Sequence, residues 1–166
     1  MSDFLIRPLT TDDPEWVLQF ISRRWGTKRV VAHGTIYYPH ELPGFVALED
    51  DQAIGLLTYQ LDQSSCEIVT IDSTHTGHGI GTALINAVLE AARRSGCERL
   101  WLITTNDNLN ALRFYQKRGF ELVAVHRHAV DEARRIKPEI PLIGENGIPI
   151  RDEIELELPL SKPAHI

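Results

Sequence analysis

Cysteine is scarce in this chain of 166 residues: Cys66 and Cys97 are the only two, with no Cys-x-x-Cys spacing. That excludes a disulfide framework and a four-cysteine metal ribbon, and leaves two buried thiols in a reducing cytosol as the plain expectation. Long apolar runs are also missing. No stretch approaches the about 20 residues that span a bilayer, and Met1-Ser2-Asp3-Phe4 shows no basic segment leading into an apolar one. The sequence therefore predicts a cytoplasmic protein with no membrane partner. Basic residues are outnumbered, 17 Lys and Arg against 23 Asp and Glu, for a net charge of −6. This balance disfavours a broad nucleic-acid face and favours small cationic partners. Repeats and low-complexity segments are absent. With 43% hydrophobic residues the chain can bury one sizeable core, so residues 1–166 are expected to form a single domain.

Local patterns predict the elements. Phe4 to Pro8 reads as a first strand. Thr10 to Pro14 reads as a helix start, with polar capping residues and proline at an early helical position. The helix carries Trp16, Val17, Phe20, Ile21 and Trp25 on one side and stops at Gly26. Thr27 to Leu42 is expected to be irregular, with one helical turn. Phe45 to Glu49 and Ala53 to Tyr59 read as a hairpin across an acidic turn, and Glu67 to Asp72 as the next strand. A helix runs from Ile80 to Ser95 and ends at Gly96. Then come a strand from Arg99 to Thr104, a helix from Leu109 to Arg118 ended by Gly119, and a strand from Glu121 to Arg127. Ala129 to Asp152, with three prolines, is expected to be a long functional loop. Glu153 to Leu158 closes the chain as an alternating strand, with its glutamates on the solvent face. The order predicts an α/β (α+β type) fold with a central mixed, mostly antiparallel sheet flanked by helices.

The most informative segment joins a strand to a helix: Ile71-Asp72-Ser73-Thr74-His75-Thr76-Gly77-His78-Gly79-Ile80-Gly81-Thr82. Glycines allow backbone N–H groups to converge on a ligand, and a helix start adds unpaired N–H groups and partial positive charge. Together they suit a phosphate or pyrophosphate. The segment lacks the lysine of a Walker A loop, and its glycines do not follow the G-x-G-x-x-G dinucleotide spacing.

This loop resembles the pyrophosphate loop of the GNAT acetyltransferases, Arg/Gln-x-x-Gly-x-Gly/Ala, with Thr76 where that family has Arg or Gln. A second segment, some 30 residues downstream, strengthens the resemblance: Asn108-Leu109-Asn110-Ala111-Leu112-Arg113-Phe114-Tyr115-Gln116-Lys117-Arg118-Gly119-Phe120 is similar to the family's Asn-x-x-Ala-x-x-x-Tyr-x-x-x-Gly-Phe at every named position. The resemblance implies an acetyl-CoA-dependent N-acetyltransferase in which an amine attacks the thioester within a ternary complex. It implies that backbone groups at Ile71 and Ser73 meet the pantetheine arm. Gly77, His78, Gly79, Ile80, Gly81 and Thr82 would hold the pyrophosphate, and Asn108 and Tyr115 would meet the cofactor.

The same resemblance makes Tyr115 the general acid for the departing thiolate, with ring packing as its alternative. It makes Glu67 the candidate base; Asp72, on the opposite strand face by simple alternation, is the weaker one, and a water chain leading to bulk is the remaining option. His126 and His128 alternate along a strand but lack a third ligand, so no metal is expected. The resemblance also implies an amine acceptor, on a small molecule or a peptide, reached from Thr27–Leu42 and Ala129–Asp152. Arg134, Arg135 and Arg151 are candidates for an acceptor carboxylate. Family members are often dimers, so a homodimer is compatible with the resemblance. A non-catalytic acyl-CoA-binding module with the same fold is the alternative function.

Overall fold

The computed structural model describes residues 3–75 and 77–160. The α/β class expected from the sequence is what the chain adopts, with a mostly antiparallel sheet of seven strands and four α-helices among the described residues. Among the described residues the longest helix has 15 residues, and none is long and apolar enough to cross a membrane. The chain divides into two units.

Of the described residues, the first unit comprises 3–30, 38–75, 77–100 and 160. Its strands β1 (Leu5–Pro8), β4 (Gly44–Glu49), β5 (Gln52–Asp62) and β6 (Ser65–Ser73) lie in that order, each antiparallel to its neighbour. Helix α1 (Pro14–Trp25) covers one face, where Val17 and Ile21 close over Leu56. Helix α2 (Ile80–Arg94) covers the other, with Ile80 and Leu84 against Gly55. The alternation of Gly55 and Leu56 thus places one helix on each side of β5. Burying each of these Val, Leu and Ile side chains contributes about 1.5–3 kcal/mol. The β4–β5 turn is Asp50-Asp51, with φ of 50° and 61°, the two-residue geometry that matches strand twist.

Gly44 in β4 is required by close approach: an added Cβ would strike the carbonyl oxygen of Leu57 on β5. Neither backbone can retreat without loss of ladder hydrogen bonds. Gly44→Ala is expected to cost about 2–3 kcal/mol, read as a lower midpoint in urea unfolding.

The second unit comprises residues 31–37 and 101–159. It contains most of β7 (Arg99–Thr105), then β9 (Glu153–Pro159) and β8 (Glu121–His126), in the order β7-β9-β8. Helix α3 (Leu109–Lys117) precedes β8, and α4 (Ala129–Ile136) follows it. The segment expected to be irregular holds a hairpin, β2 (Val30–Ala32) and β3 (Thr35–Tyr37), before its one 3-10 turn, Pro39–Glu41. His33-Gly34, both at positive φ, make the hairpin turn. That dipeptide was the available sequence signal.

The long 129–152 segment is not a free loop. Ala129, Val130, Ala133 and Ile136 recur at helical spacing, acids fill the first turn and arginines the last, and α4 results. Downstream, Arg134 donates to the carbonyls of Ile140, Pro141 and Ile150 at 3.3, 2.7 and 2.7 Å. The final strand also departs from simple alternation, because Glu153 is 4% exposed and accepts from the His33 N–H at 3.2 Å.

Both cysteines are buried and unbridged. Burial, with smaller contributions from Cys97 and Glu67, pushes the Cys66 thiol up to about 12, and burial raises Cys97 as well. Since the thiolate is the reactive form, neither is expected to react with a disulfide reagent in the native state, and both should react on unfolding.

Candidate active site

The site begins where β6 ends. Thr74 N–H donates to the Ile54 carbonyl at 2.8 Å. Hydrogen-bonded and non-bonded pairs alternate in an antiparallel ladder, so Asp72 bonds across to Leu56. Ile71 and Ser73 therefore turn their N–H and C=O groups away from β5. Arg24 anchors this strand end. Its guanidinium grips the Asp72 carboxylate at 2.8 and 3.0 Å and reaches the Ser73 carbonyl at 2.9 Å, while Trp25 Nε1 donates to Asp72 at 3.1 Å. Asp72 is thereby committed to structure, and both main-chain groups of Ser73 have partners within the chain, the carbonyl in Arg24 and the N–H in the Asp72 carboxylate at 2.8 Å.

The loop then turns into α2. Gly77 and Gly79 both sit at φ 78°, a conformation that favours glycine, and Gly79 is the N-cap. Among the described residues other than their chain neighbours, nothing lies within 4 Å of where their Cβ atoms would be, so the approach to the backbone is open. The first intrahelical bond runs from Ala83 N–H to the Gly79 carbonyl at 3.0 Å. The N–H groups of Ile80, Gly81 and Thr82 therefore precede the helical ladder. The first turn carries no acid to neutralise them. His75 and His78 stand edge to face across the turn, with ring centroids 5.8 Å apart. Thr76, which replaces the family's Arg or Gln, lies outside the described residues. Open glycines, aligned donors and an acid-free helix start fit a pyrophosphate.

Glu67 is 4% exposed on β6. Simple alternation would set it opposite Asp72, but the register shows otherwise. Ile68 faces Tyr59 and Thr70 faces Thr58, leaving Val69 as an extra, bulged residue. A bulge flips the parity beyond it. Glu67, Thr70 and Asp72 consequently share one face, where the Thr58 and Thr70 hydroxyls are hydrogen-bonded at 2.6 Å. A bulge is a property of two paired strands, and no residue in β6 advertises it.

In the second unit, Asn108 caps α3, its Oδ1 accepting from Ala111 N–H at 3.2 Å. Much of the Asn-x-x-Ala signal is thus a helix cap. Tyr115 is 6% exposed, with its ring centroid 5.2 Å from that of Phe114 and 5.4 Å from that of Phe120. Burial raises the phenol above its ordinary value near 10 and keeps it protonated at neutral pH.

Two residues beside Asn108 carry a role that motif reading missed. Asn106 Oδ1 accepts from the N–H groups of Arg151 and Asp152 at 2.9 Å, and its Nδ2 donates to the Pro149 carbonyl at 2.9 Å. Asp107 accepts from Glu145 N–H at 3.0 Å and packs against Gly144. Together they tie the end of the 129–152 segment to the turn that starts α3. The arginines proposed for an acceptor carboxylate have other partners: Arg134 holds carbonyls, Arg135 pairs with Glu132 and Arg151 with Asp152. The histidines do not share a strand face either. His126 ends β8 and pairs with Glu155, while His128 takes φ 60° at the N-cap of α4. Among the described residues no group of three metal-ligating side chains comes together.

The acetyltransferase (GNAT) family model matches residues 11–120, a span that contains both the glycine loop and the Asn108–Phe120 segment. The chain belongs to the GNAT acetyltransferase family. Protein YdhI of Bacillus subtilis is 50% identical over 136 residues, covering 81% of this chain and 85% of that protein. The GNAT fold recurs in the IAA acetyltransferase of Bacillus cereus, with TM-score 0.72, 24% identity and coverage of 95% of this chain and 100% of that one. It recurs also in a GNAT acetyltransferase of Elizabethkingia anophelis with acetyl-CoA bound, with TM-score 0.71, 22% identity and coverage of 96% and 100%. At these identities the structures speak for the fold alone.

Proposed function

We propose that this GNAT protein transfers an acetyl group from acetyl-CoA to an amine on a small molecule or peptide. The observation that carries the reading is the acid-free start of α2 behind two open, positive-φ glycines. In this reading the backbone of Gly77, His78, Gly79, Ile80, Gly81 and Thr82 binds the pyrophosphate, with the His78 ring beside it. Ile71 offers main-chain groups to the pantetheine amides, Ser73 lines the arm although its N–H donates to Asp72 at 2.8 Å and its carbonyl accepts from Arg24 at 2.9 Å, and Asn108 adds a contact beside its capping role. Acetyl-CoA supplies an activated acyl carbon on a thiol leaving group.

The chain's own residues manage the protons. An alkylammonium has a pKa near 10 and must lose a proton before it attacks. Glu67 takes that proton as general base. As the C–N bond forms and the C–S bond breaks, the Tyr115 O–H donates to the sulfur, so the thiolate leaves as a thiol. Burial of the phenol suits this donor role, because the proton is still in place at working pH. We place the reaction in the cytoplasm, in one acetyltransferase domain that is also able to work as a homodimer.

The test is a thiol-release assay with acetyl-CoA and a panel of amines and N-terminal peptides, with acetylated products identified by mass. Amine-dependent release with a matching product is expected. Binding of acetyl-CoA without turnover on any acceptor would favour the non-catalytic acyl-CoA module.

A further inference from the structure

A concave site lies in the first unit, apart from the glycine loop, between α1 and the β4–β5 turn, with a volume of about 490 Å³. That is within the range of pockets that hold small molecules. Its apolar side includes Trp16 and Phe20, edge to face with ring centroids 6.2 Å apart. One wall is the Arg7–Asp13 ion pair, whose carboxylate is already saturated: it accepts from both Arg7 Nη atoms, Thr10 N–H, the Thr10 hydroxyl and Trp16 Nε1. That pair is a fixed, neutral surface.

The other polar lining groups are uncommitted. Arg23, Asp51, Gln19 and Gln52 make no ion pair or side-chain hydrogen bond among the described residues, and all four are exposed. They comprise one cation, one anion and two amides beside an aromatic floor. An inorganic anion would leave Asp51 opposed and the rings unused, and a simple amine would leave Arg23 opposed. A zwitterion with an apolar body satisfies all of them.

We propose that this groove between α1 and the Asp50-Asp51 turn binds a small zwitterion of the α-amino acid type. Its carboxylate meets Arg23, its ammonium meets Asp51, and an apolar side chain lies on Trp16 and Phe20. The proposal does not depend on the acetyltransferase reading. The elements that form the groove also hold the strand end before the glycine loop: Arg24, next to Arg23, grips Asp72, and Ile54, next to Ala53, accepts from Thr74. A molecule bound here therefore leans on the two elements that fix the loop's entry.

The test is calorimetric titration of L-phenylalanine and L-leucine into the full chain without cofactor, beside N-acetyl-L-phenylalanine and L-phenylalaninamide. One-to-one binding is expected. Loss of a charge-assisted contact should weaken it about tenfold or more, whether by Arg23→Ala, by Asp51→Asn or by blocking either end of the ligand. Both substituted residues are exposed, and asparagine tolerates the positive φ of Asp51, so folded variants are expected. No heat at about 10 mM ligand, well past a millimolar Kd, would overturn the proposal. So would binding that both variants leave unchanged, which would place the ligand elsewhere.

Discussion

Tyr115→Phe is expected to lower kcat about a hundredfold to a thousandfold, the scale of losing a positioned proton donor, with little change in acetyl-CoA affinity. The substitution isolates the hydroxyl. The ring stays, and with it the contacts to Phe114 and Phe120 that seat the side chain, so the fold is preserved. The wild-type pH profile carries the same information. Its rate should climb as the acceptor amine loses its proton. The falling limb belongs to the phenol, and burial moves it above the ordinary tyrosine value near 10. A descent well below that pH would mean that another group supplies the proton. Full activity in the variant would leave Tyr115 as a packing residue.

Asp13→Ala is the second large effect, on stability rather than rate, at about 2–4 kcal/mol. The residue is 4% exposed, and its loss would strand the Trp16 indole N–H, the Thr10 N–H and much of the Arg7 guanidinium. These groups fasten β1 to the start of α1. Hydrogen bonds from Arg7 foremost, helped by Trp16 and Thr10 against the cost of burial, hold the Asp13 carboxyl well below the usual carboxylate range. A depressed folded-state pKa gives stability that is complete above the unfolded value near 3.9 and is lost as pH falls below it. The wild type should therefore lose stability steeply below about pH 4, and Asp13→Asn should flatten that decline. Equal slopes for the two proteins in acid denaturation would contradict the account.

The sequence disclosed most where one residue type had one local job. Gly26, Gly96 and Gly119 end helices at φ of 69°, 75° and 93°, and each was readable as a stop. The strand, glycine turn and helix of the loop were readable too, because φ > 0 and an open approach are demands that glycine alone meets easily. Asp13 was legible as a helix start but not in its bonding: its carboxylate turns back to Arg7 instead of capping the helix, a choice set by where β1 lies. The bulge at Val69 was hidden because register belongs to a strand pair, and it reversed the relation of Glu67 to Asp72. Helix α4 was legible in the Ala129–Ile136 periodicity but was obscured by the prolines at 138, 141 and 149. The tethers at Asn106 and Asp107 close contacts of 38 to 46 residues' separation, which no local pattern announces.

If backbone donors at the start of α2 hold the pyrophosphate of acetyl-CoA, isothermal titration of two thioesters will separate them. Acetyl-CoA carries the pyrophosphate, and S-acetylpantetheine lacks it. Losing at least two charge-assisted hydrogen bonds should weaken the truncated thioester by about a hundredfold or more. Equal affinities, or no binding of acetyl-CoA at millimolar concentration, would contradict the assignment of the glycine loop.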